Sequence, residues 1–197
     1  MDASDPQRSE DNSSSPFPRR FTVDEYHRLL EVGVIHKDEH VQLIEGMIVQ
    51  SAPPKAEHAS VLERLSRAVV KALAGRYRVR TQLPLTFIDS EPEPDVAVAA
   101  PLAGDEDAEM HPRGALLVVE VAEGSLAYDR SVKARIYARA GIPEYWIVNV
   151  KDATVEISRD PQPASGRYRT GLTAKAGDTL TLASVPELSL PVAALFE

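Results

Sequence analysis

Residues 115–122 read ALLVVEVA, a nearly continuous apolar run that is interrupted by the carboxylate of Glu120. A run of this kind predicts a β-strand that is covered on both faces, as happens when helices pack on either side of a sheet. An ionised carboxylate in such surroundings costs several kcal/mol unless it is compensated, so a metal ion, a lysine or an arginine should lie beside Glu120. The alternative is a glutamate at a strand end that emerges into solvent or caps a neighbouring helix.

A second buried strand is predicted just before the first, over residues 94–100 (PDVAVAA), and Asp95 stands at its start. On its own, the Pro-Asp pair is more typical of a turn. If the two strands are neighbours, however, Asp95 and Glu120 can meet at one edge of the sheet. Two carboxylates so placed repel each other unless a cation lies between them. Oxygen ligands with water completing the shell suit Mg²⁺ or Mn²⁺.

The helix that follows, predicted over residues 128–140, carries Lys133. Asp129 and Lys133 are spaced i, i+4, and the simplest interpretation is a common surface pair worth a few tenths of a kcal/mol. The functional interpretation places Lys133 beside the two carboxylates, where it would orient an attacking water or stabilise phosphate charge. Its apolar neighbours Val132 and Ile136 indicate that it borders the buried face.

The pattern upstream of the two strands predicts helices, a hairpin and a further strand. Thr22 and Glu25 form a capping box that begins a short helix. Two apolar runs within residues 41–50 are split by a Glu-Gly turn, which predicts a hairpin. A long amphipathic helix follows the prolines at residues 53–54. Residues 77–87 alternate between apolar and polar, which predicts a half-exposed strand.

Downstream, residues 144–150 predict another buried strand, residues 153–158 a strand that pairs with it, and the C-terminal stretch short strands and turns. The whole pattern predicts an α/β fold in which helices flank a mixed β-sheet, with hairpins added at both ends. Residues 1–18 are rich in Ser, Asp and Pro and should form a disordered tail. Residues 19–197 are expected to form a single domain.

The composition restricts the class of protein. The 197 residues are 43% hydrophobic and 26% charged, which is ordinary for a soluble globular protein. The absence of cysteine excludes disulfides and thiolate metal sites, so any metal must be held by oxygen or imidazole. The longest clean apolar run, residues 115–119, is far shorter than the roughly 20 residues of a membrane helix. We expect a cytoplasmic protein that does not enter a membrane.

The formal net charge of −8 counts against the binding of nucleic acid by bulk electrostatics. Basic residues are nevertheless concentrated in two clusters, which would favour nucleic acid over a small substrate if they formed a groove leading to the site. The first cluster comprises Arg64, Arg67, Lys71, Arg76, Arg78 and Arg80, and the second Arg130, Lys133, Arg135 and Arg139.

Two further residues have simple structural interpretations. Glu45 precedes Gly46 in the predicted hairpin turn, and His58 shares a helix face with Leu62 and Leu65, as a core or boundary histidine does. Three familiar kinds of site are excluded, because the sequence has no glycine-rich phosphate loop, no serine in a nucleophile elbow and no closely paired histidines for zinc.

Residues 137–148 (YARAGIPEYWIV) resemble a signature of the Uma-type restriction endonucleases. This is a large bacterial family, long catalogued as a domain of unknown function, within the PD-(D/E)XK nuclease superfamily. The match runs from Phe21 to the end, and its blocks keep their order and approximate spacing. The other blocks are LIEG at 43–46, PP at 53–54, EH at 57–58, PD at 94–95, VEV at 119–121, DRSVK at 129–133, PEL at 186–188 and LF at 195–196.

The resemblance implies a restriction-endonuclease-like fold with an αβββαβ core, and hydrolysis of phosphodiester bonds in DNA with Mg²⁺ or Mn²⁺. The implied metal ligands are Asp95, Glu120, Glu45 and the backbone carbonyl of Val121. Lys133 would position the attacking water or stabilise the developing charge. His58 would contact the metal ion or the phosphate.

The sequence departs from the family pattern after the second acid. The superfamily places a lysine two residues further on, where this chain has Ala122, so the resemblance implies that the following helix supplies it as Lys133. The family also tends to have Ser-Pro-Ser here, whereas residues 122–125 read AEGS. Three functions stay open: a DNA endonuclease, an inactive nuclease-fold module for binding or assembly, and a hydrolase of another phosphodiester. Cleavage of both strands of a duplex would favour a homodimer.

Overall fold

The structure is a computed structural model that describes residues 17–36, 38–51, 53, 55–100 and 112–197. Most of the predicted tail, residues 1–16, lies outside this part of the chain. Phe17 and Pro18 precede the first helix without regular structure. None of the helices among the described residues combines the length and apolar character that a membrane crossing needs.

The described residues form helices, a six-stranded sheet and two separate hairpins. The helices are α1 (Val23–Glu31), α2 (Ala56–Leu73), α3 (Leu126–Tyr128) and α4 (Ala134–Arg139), with a π-helical turn at Asp129–Lys133 and a 3₁₀ turn at Val192–Leu195. The two hairpins are β1 (Val41–Ile44) with β2 (Met47–Gln50), and β9 (Thr179–Leu182) with β10 (Val185–Pro191). The strands of the sheet are β3 (Arg78–Thr81), β4 (Val96–Ala99), β5 (Leu117–Ala122), β6 (Glu144–Asn149), β7 (Thr154–Gln162) and β8 (Arg167–Ala174).

The N-terminal helix begins with the predicted capping box. The Thr22 hydroxyl accepts a hydrogen bond from the Glu25 N–H at 3.2 Å, and the Thr22 N–H donates to the Glu25 carboxylate at 3.0 Å. These two bonds satisfy backbone donors that the first turn of a helix leaves without partners. The predicted β1–β2 hairpin is also confirmed, with Glu45 and Gly46 at its turn.

The sheet is mixed, as the sequence predicts, with the strand order β3-β4-β5-β6-β7-β8. Its pair β5 and β6 is parallel, and the remaining neighbours are antiparallel. A parallel pair needs a crossover connection, and here the crossover consists of α3, the π turn and α4. The added hairpins at both ends of the chain are present.

Side chains of β5 alternate between two hydrophobic cores. Val119 and Val121 lie in the core between the sheet, α2 and the C-terminal hairpin. Val118 and Ala122 lie in the core between the sheet and α4. Because a strand has a side-chain period of two, Glu120 belongs to the α4 side.

The predicted strand over residues 77–87 is wrong beyond the end of β3. Gln82 adopts a left-handed backbone (φ 49°), and its N–H donates to the carbonyl of Asp95 at 3.2 Å. This turn ends the regular ladder. The alternation of apolar residues continues in the sequence beyond Gln82. It reflects the burial of Leu85 in the core on the α4 side of the sheet, not a longer strand.

The predicted helix over residues 128–140 is interrupted rather than regular. It begins at Leu126 and widens into the π turn at Asp129–Lys133 before it returns to α-helix. π turns are rare and occur frequently at functional sites. Both ends of this turn carry buried charged side chains, those of Asp129 and Lys133.

Candidate active site

The structure brings the two predicted acids, Asp95 and Glu120, together on the α4 side of the sheet. The antiparallel register pairs Val96 with Val119, so one step further along the ladder sets Asp95 opposite Glu120. Opposed side chains of an antiparallel pair lie on the same face. Both residues are buried, with 7% and 6% of their surface exposed.

Asp95 is held by one backbone donor, one imidazole and one side-chain amide, since its Oδ1 atom accepts a hydrogen bond from Gln82 Nε2 at 3.4 Å. Its Oδ2 atom accepts a hydrogen bond from the Val121 N–H at 2.8 Å and lies 3.1 Å from Nε2 of His58. His58 stands in the first turn of α2, and its contact with Asp95 places this turn beside the start of β4. The hydrogen bond with Asp95 raises the pKa of His58 against the opposing effect of burial, which favours an imidazolium–carboxylate pair. A contact between His58 and a metal ion or phosphate stays a prediction.

Glu120 receives two side-chain donors on a single oxygen. The Lys133 ammonium lies 2.9 Å from Oε1 of Glu120, and the Tyr137 hydroxyl lies 2.6 Å from the same atom. Burial raises the pKa of Glu120 to about 7, and the negative charge of Asp95 acts in the same direction. Burial alone would lower the pKa of Lys133, but the Glu120 carboxylate holds it above its ordinary value.

The interpretation of Asp129 and Lys133 as a surface pair is wrong. Both residues are buried, at 3% and 6% exposure, and Lys133 contacts Glu120. Asp129 instead accepts a hydrogen bond from the Ser125 hydroxyl at 2.5 Å, and burial raises its pKa. Asp129 is thus a third buried carboxylate near the site, and not the exposed partner of Lys133 that the spacing predicts. Its spacing to Lys133 gave no signal of this burial, which depends on what packs over the helix.

Charge balance indicates what the site can hold. Three buried carboxylates, of Asp95, Glu120 and Asp129, lie within electrostatic range of one buried ammonium and one imidazole. Among the described residues, no three His, Cys, Asp or Glu side chains are grouped closely enough to hold a metal ion by themselves. Two carboxylates with water completing the shell are a ligand set that suits Mg²⁺, which is commonly bound by one or two carboxylates and retains several waters.

Glu45 is engaged elsewhere, at the turn between β1 and β2. Arg135 donates to both of its carboxylate oxygens at 2.7 Å, and Arg139 donates to one of them at 3.1 Å. The hydrogen bonds from Arg135 hold the pKa of Glu45 below its ordinary value. We call Glu45 with Arg135 and Arg139 the hairpin clamp. A metal-binding role for Glu45 stays a prediction, and these contacts do not place it beside the acid pair.

Glu123 lies in the segment that departs from the family pattern. It forms an ion pair with Lys55 at 3.1 Å, and its negative charge contributes to the raised pKa of His58. Its other oxygen, Oε2, is buried and has no hydrogen-bond partner among the described residues. Glu123 thus adds negative charge at the edge of the site.

The two basic clusters do not amount to a strongly basic groove. At least six of their ten residues form ion pairs with carboxylates of the same chain, which reduces the positive charge that they offer to phosphates. The pairs are Arg67–Glu63, Arg76–Glu187, Arg130–Glu156, Lys133–Glu120, Arg135–Glu45 and Arg139–Glu45.

Comparisons with known proteins agree with the architecture. The family model of Uma2, described as "Putative restriction endonuclease", matches residues 23–193. A crystal structure of "a putative nuclease belonging to DUF820" from Anabaena variabilis superposes with a TM-score of 0.68 at 18% sequence identity. That alignment covers 89% of this chain and 97% of the other, and at this identity it shows a shared fold. The comparison with curated proteins gave no significant match.

Proposed function

The chain belongs to the Uma2 family, and we propose that it is a divalent-metal-dependent endonuclease that hydrolyses phosphodiester bonds in DNA. The observation that carries the proposal is the convergence of Asp95, Glu120 and Lys133 in one buried, negatively charged site. Structural carboxylates are usually balanced by partners of the same protein, whereas here three buried carboxyl groups share one buried ammonium and one imidazole.

Each residue has a role in this proposal. Asp95 and Glu120, together with the backbone carbonyl of Val121, would hold Mg²⁺ or Mn²⁺. When bound, such an ion polarises the phosphate and lowers the pKa of a bound water. Lys133 keeps a positive charge next to Glu120, from which it orients the water or stabilises charge on the phosphate. His58 orients Asp95 through the bond at its Nε2 atom.

Two observations favour a second candidate, an inactive nuclease-fold module that binds a partner. The net charge is −8, and the arginines of both basic clusters are largely paired within the chain. Tight DNA binding normally uses lysines and arginines that phosphates can neutralise. This candidate keeps the nuclease fold but neither binds the metal ion nor cleaves DNA.

Plasmid cleavage separates the candidates. In Mg²⁺ or Mn²⁺, the native chain should nick supercoiled DNA, and Asp95→Asn and Glu120→Gln should each lose about 100-fold or more, because metal-assisted charge stabilisation supplies several kcal/mol. Glu187→Gln is the control, since Glu187 pairs with Arg76 on the surface of the C-terminal hairpin.

Each of the other outcomes would support a different function for this chain. If the native chain binds Mn²⁺ tightly but leaves DNA intact, the substrate is another phosphodiester. If it neither binds Mn²⁺ nor cleaves DNA, the metal-dependent endonuclease is ruled out in favour of the inactive module. Equal loss in Glu187→Gln would show that the variants report on folding rather than on the site.

A further inference from the structure

We infer that Tyr137 is a positioning residue for the metal site, which orients Glu120 so that one carboxylate oxygen is presented to the ion. This inference rests on the proposed function. The Tyr137 hydroxyl and the Lys133 ammonium both contact Oε1 of Glu120, at 2.6 Å and 2.9 Å. The other oxygen, Oε2, lies outside these two hydrogen bonds. Two donors on one oxygen restrict rotation of the carboxylate and direct Oε2 away from them.

Tyr137 is itself held firmly, as a positioning group must be. Its side chain is fully buried in the core on the α4 side of the sheet. Phe87 packs against its ring edge-on with the centroids 6.2 Å apart, and Tyr145 packs at 5.0 Å on a tilted plane. These contacts leave the hydroxyl few alternative positions, so its hydrogen bond fixes Glu120 rather than following it.

The hydrogen bond between Tyr137 and Glu120 also has a purely structural explanation, and the experiment must distinguish it from a role in metal binding. A buried tyrosine hydroxyl needs a hydrogen-bond partner wherever it lies, because leaving it without one costs free energy. If that were its whole role, loss of the hydroxyl would change the stability of the fold and leave metal affinity unaltered. Groups that orient metal ligands behave differently, since their substitution typically lowers metal affinity roughly 10–100-fold.

The test compares two substitutions that each remove one hydroxyl. Tyr168 is the matched control, because its hydroxyl donates to the Ile142 carbonyl at 3.0 Å rather than to a carboxylate. In Mn²⁺ titration calorimetry, Tyr137→Phe should bind about 10-fold more weakly than the native chain, whereas Tyr168→Phe should keep its affinity. Thermal unfolding of both variants shows whether they are folded and equally stable.

A spectroscopic measurement gives a second readout on the native chain. Mn²⁺ should perturb the ultraviolet absorption of a buried tyrosine, and Tyr168→Phe should retain this signal while Tyr137→Phe loses it. Unchanged Mn²⁺ affinity in Tyr137→Phe would overturn the inference and leave the proposed function intact. Absence of Mn²⁺ binding by the native chain would overturn both.

Discussion

The buried site and the hairpin clamp are two ion-pair clusters on one helical crossover, and they have opposite charge balance. At the site, one lysine faces several buried carboxylates, and burial, helped by the negative charge of Asp95, raises the pKa of Glu120 to about 7. In the clamp, Arg135 and Arg139 share one carboxylate, and the pKa of Glu45 is lowered. A carboxylate short of positive charge has affinity for an external cation, whereas one with an excess is already satisfied.

The contacts of the hairpin clamp hold the β1–β2 turn in place. The Glu45 N–H donates to the Ser90 hydroxyl at 2.9 Å, and the Gly46 N–H donates to the Asp89 carbonyl at 2.7 Å. Arg20 donates to the Glu45 carbonyl. Together with the arginines of α4, these bonds fix the β1–β2 turn against the crossover. Carboxylates and basic side chains thus form a candidate metal site around Glu120, whereas in the hairpin clamp they hold a turn against a helix.

Removal of the buried lysine should have the largest effect on stability. Lys133→Met leaves the Glu120 carboxylate buried without its cation, which should lower the free energy of unfolding by about 3 kcal/mol at alkaline pH. The loss should shrink as the pH falls toward 7, because Lys133 lowers the pKa of Glu120 in the native chain, so that without it the buried carboxyl takes up a proton already above pH 7. Denaturant titration at several pH values measures this dependence.

The double variant Lys133→Met/Glu120→Gln is the control for that prediction, because it removes the charge along with its partner. It should recover most of the lost stability. A double variant as unstable as the single one would show that the cost is a packing defect, and the contrast between site and clamp would lose its electrostatic basis.

Metal affinity should depend on pH at the site. Because the pKa of Glu120 is raised to about 7, the folded chain without metal holds a proton there at acidic pH, and Mn²⁺ must displace it. Affinity should therefore fall by up to about tenfold for each pH unit below 7. Calorimetry in buffers of different ionisation enthalpy detects the released proton. An affinity that is constant across this range would argue against Glu120 as a ligand.

Removal of a clamp arginine should have the smallest effect. Arg135 is 36% exposed, so Arg135→Met should cost less than about 1 kcal/mol. Since the pKa of Glu45 is lowered from 4.5, the contribution of the clamp is complete at neutral pH and fades as the pH falls below that value. Urea unfolding at neutral and acidic pH measures it.

Mn²⁺ affinity should be the same in Arg135→Met as in the native chain. A gain in affinity would mean that the released Glu45 carboxylate reaches the metal ion. That result would support the ligand role that the family resemblance implies for Glu45, and it would remove the distinction between the two clusters.

Features that depend on local pattern could be predicted from the sequence. The buried strands, the capping box and the β1–β2 hairpin each follow from the spacing of a few neighbouring residues. The approach of Asp95 to Glu120 follows from the pairing of two adjacent buried strands. The role of these acids as metal ligands stays a prediction.

Features that depend on packing between distant segments could not be predicted. Gln82 turns out of β3 through hydrogen bonds to the chain just before β4, and the sequence pattern beyond it still alternates. Asp129 has the spacing of a surface partner for Lys133, and its burial is set by what packs over the helix. The clamp joins Glu45 to Arg135 across 90 residues, so no local pattern reveals it.

The crossover between β5 and β6 also sets the order in which the site can assemble during folding. Glu120 and Lys133 are 13 residues apart, whereas Asp95 reaches Val121 across 26 residues and His58 reaches Asp95 across 37. Closing a longer loop costs more conformational entropy, so the lysine–glutamate contact can form early within one strand–helix unit. Asp95 joins when β4 pairs with β5, and a complete acid pair therefore requires that β4 has been added to the sheet.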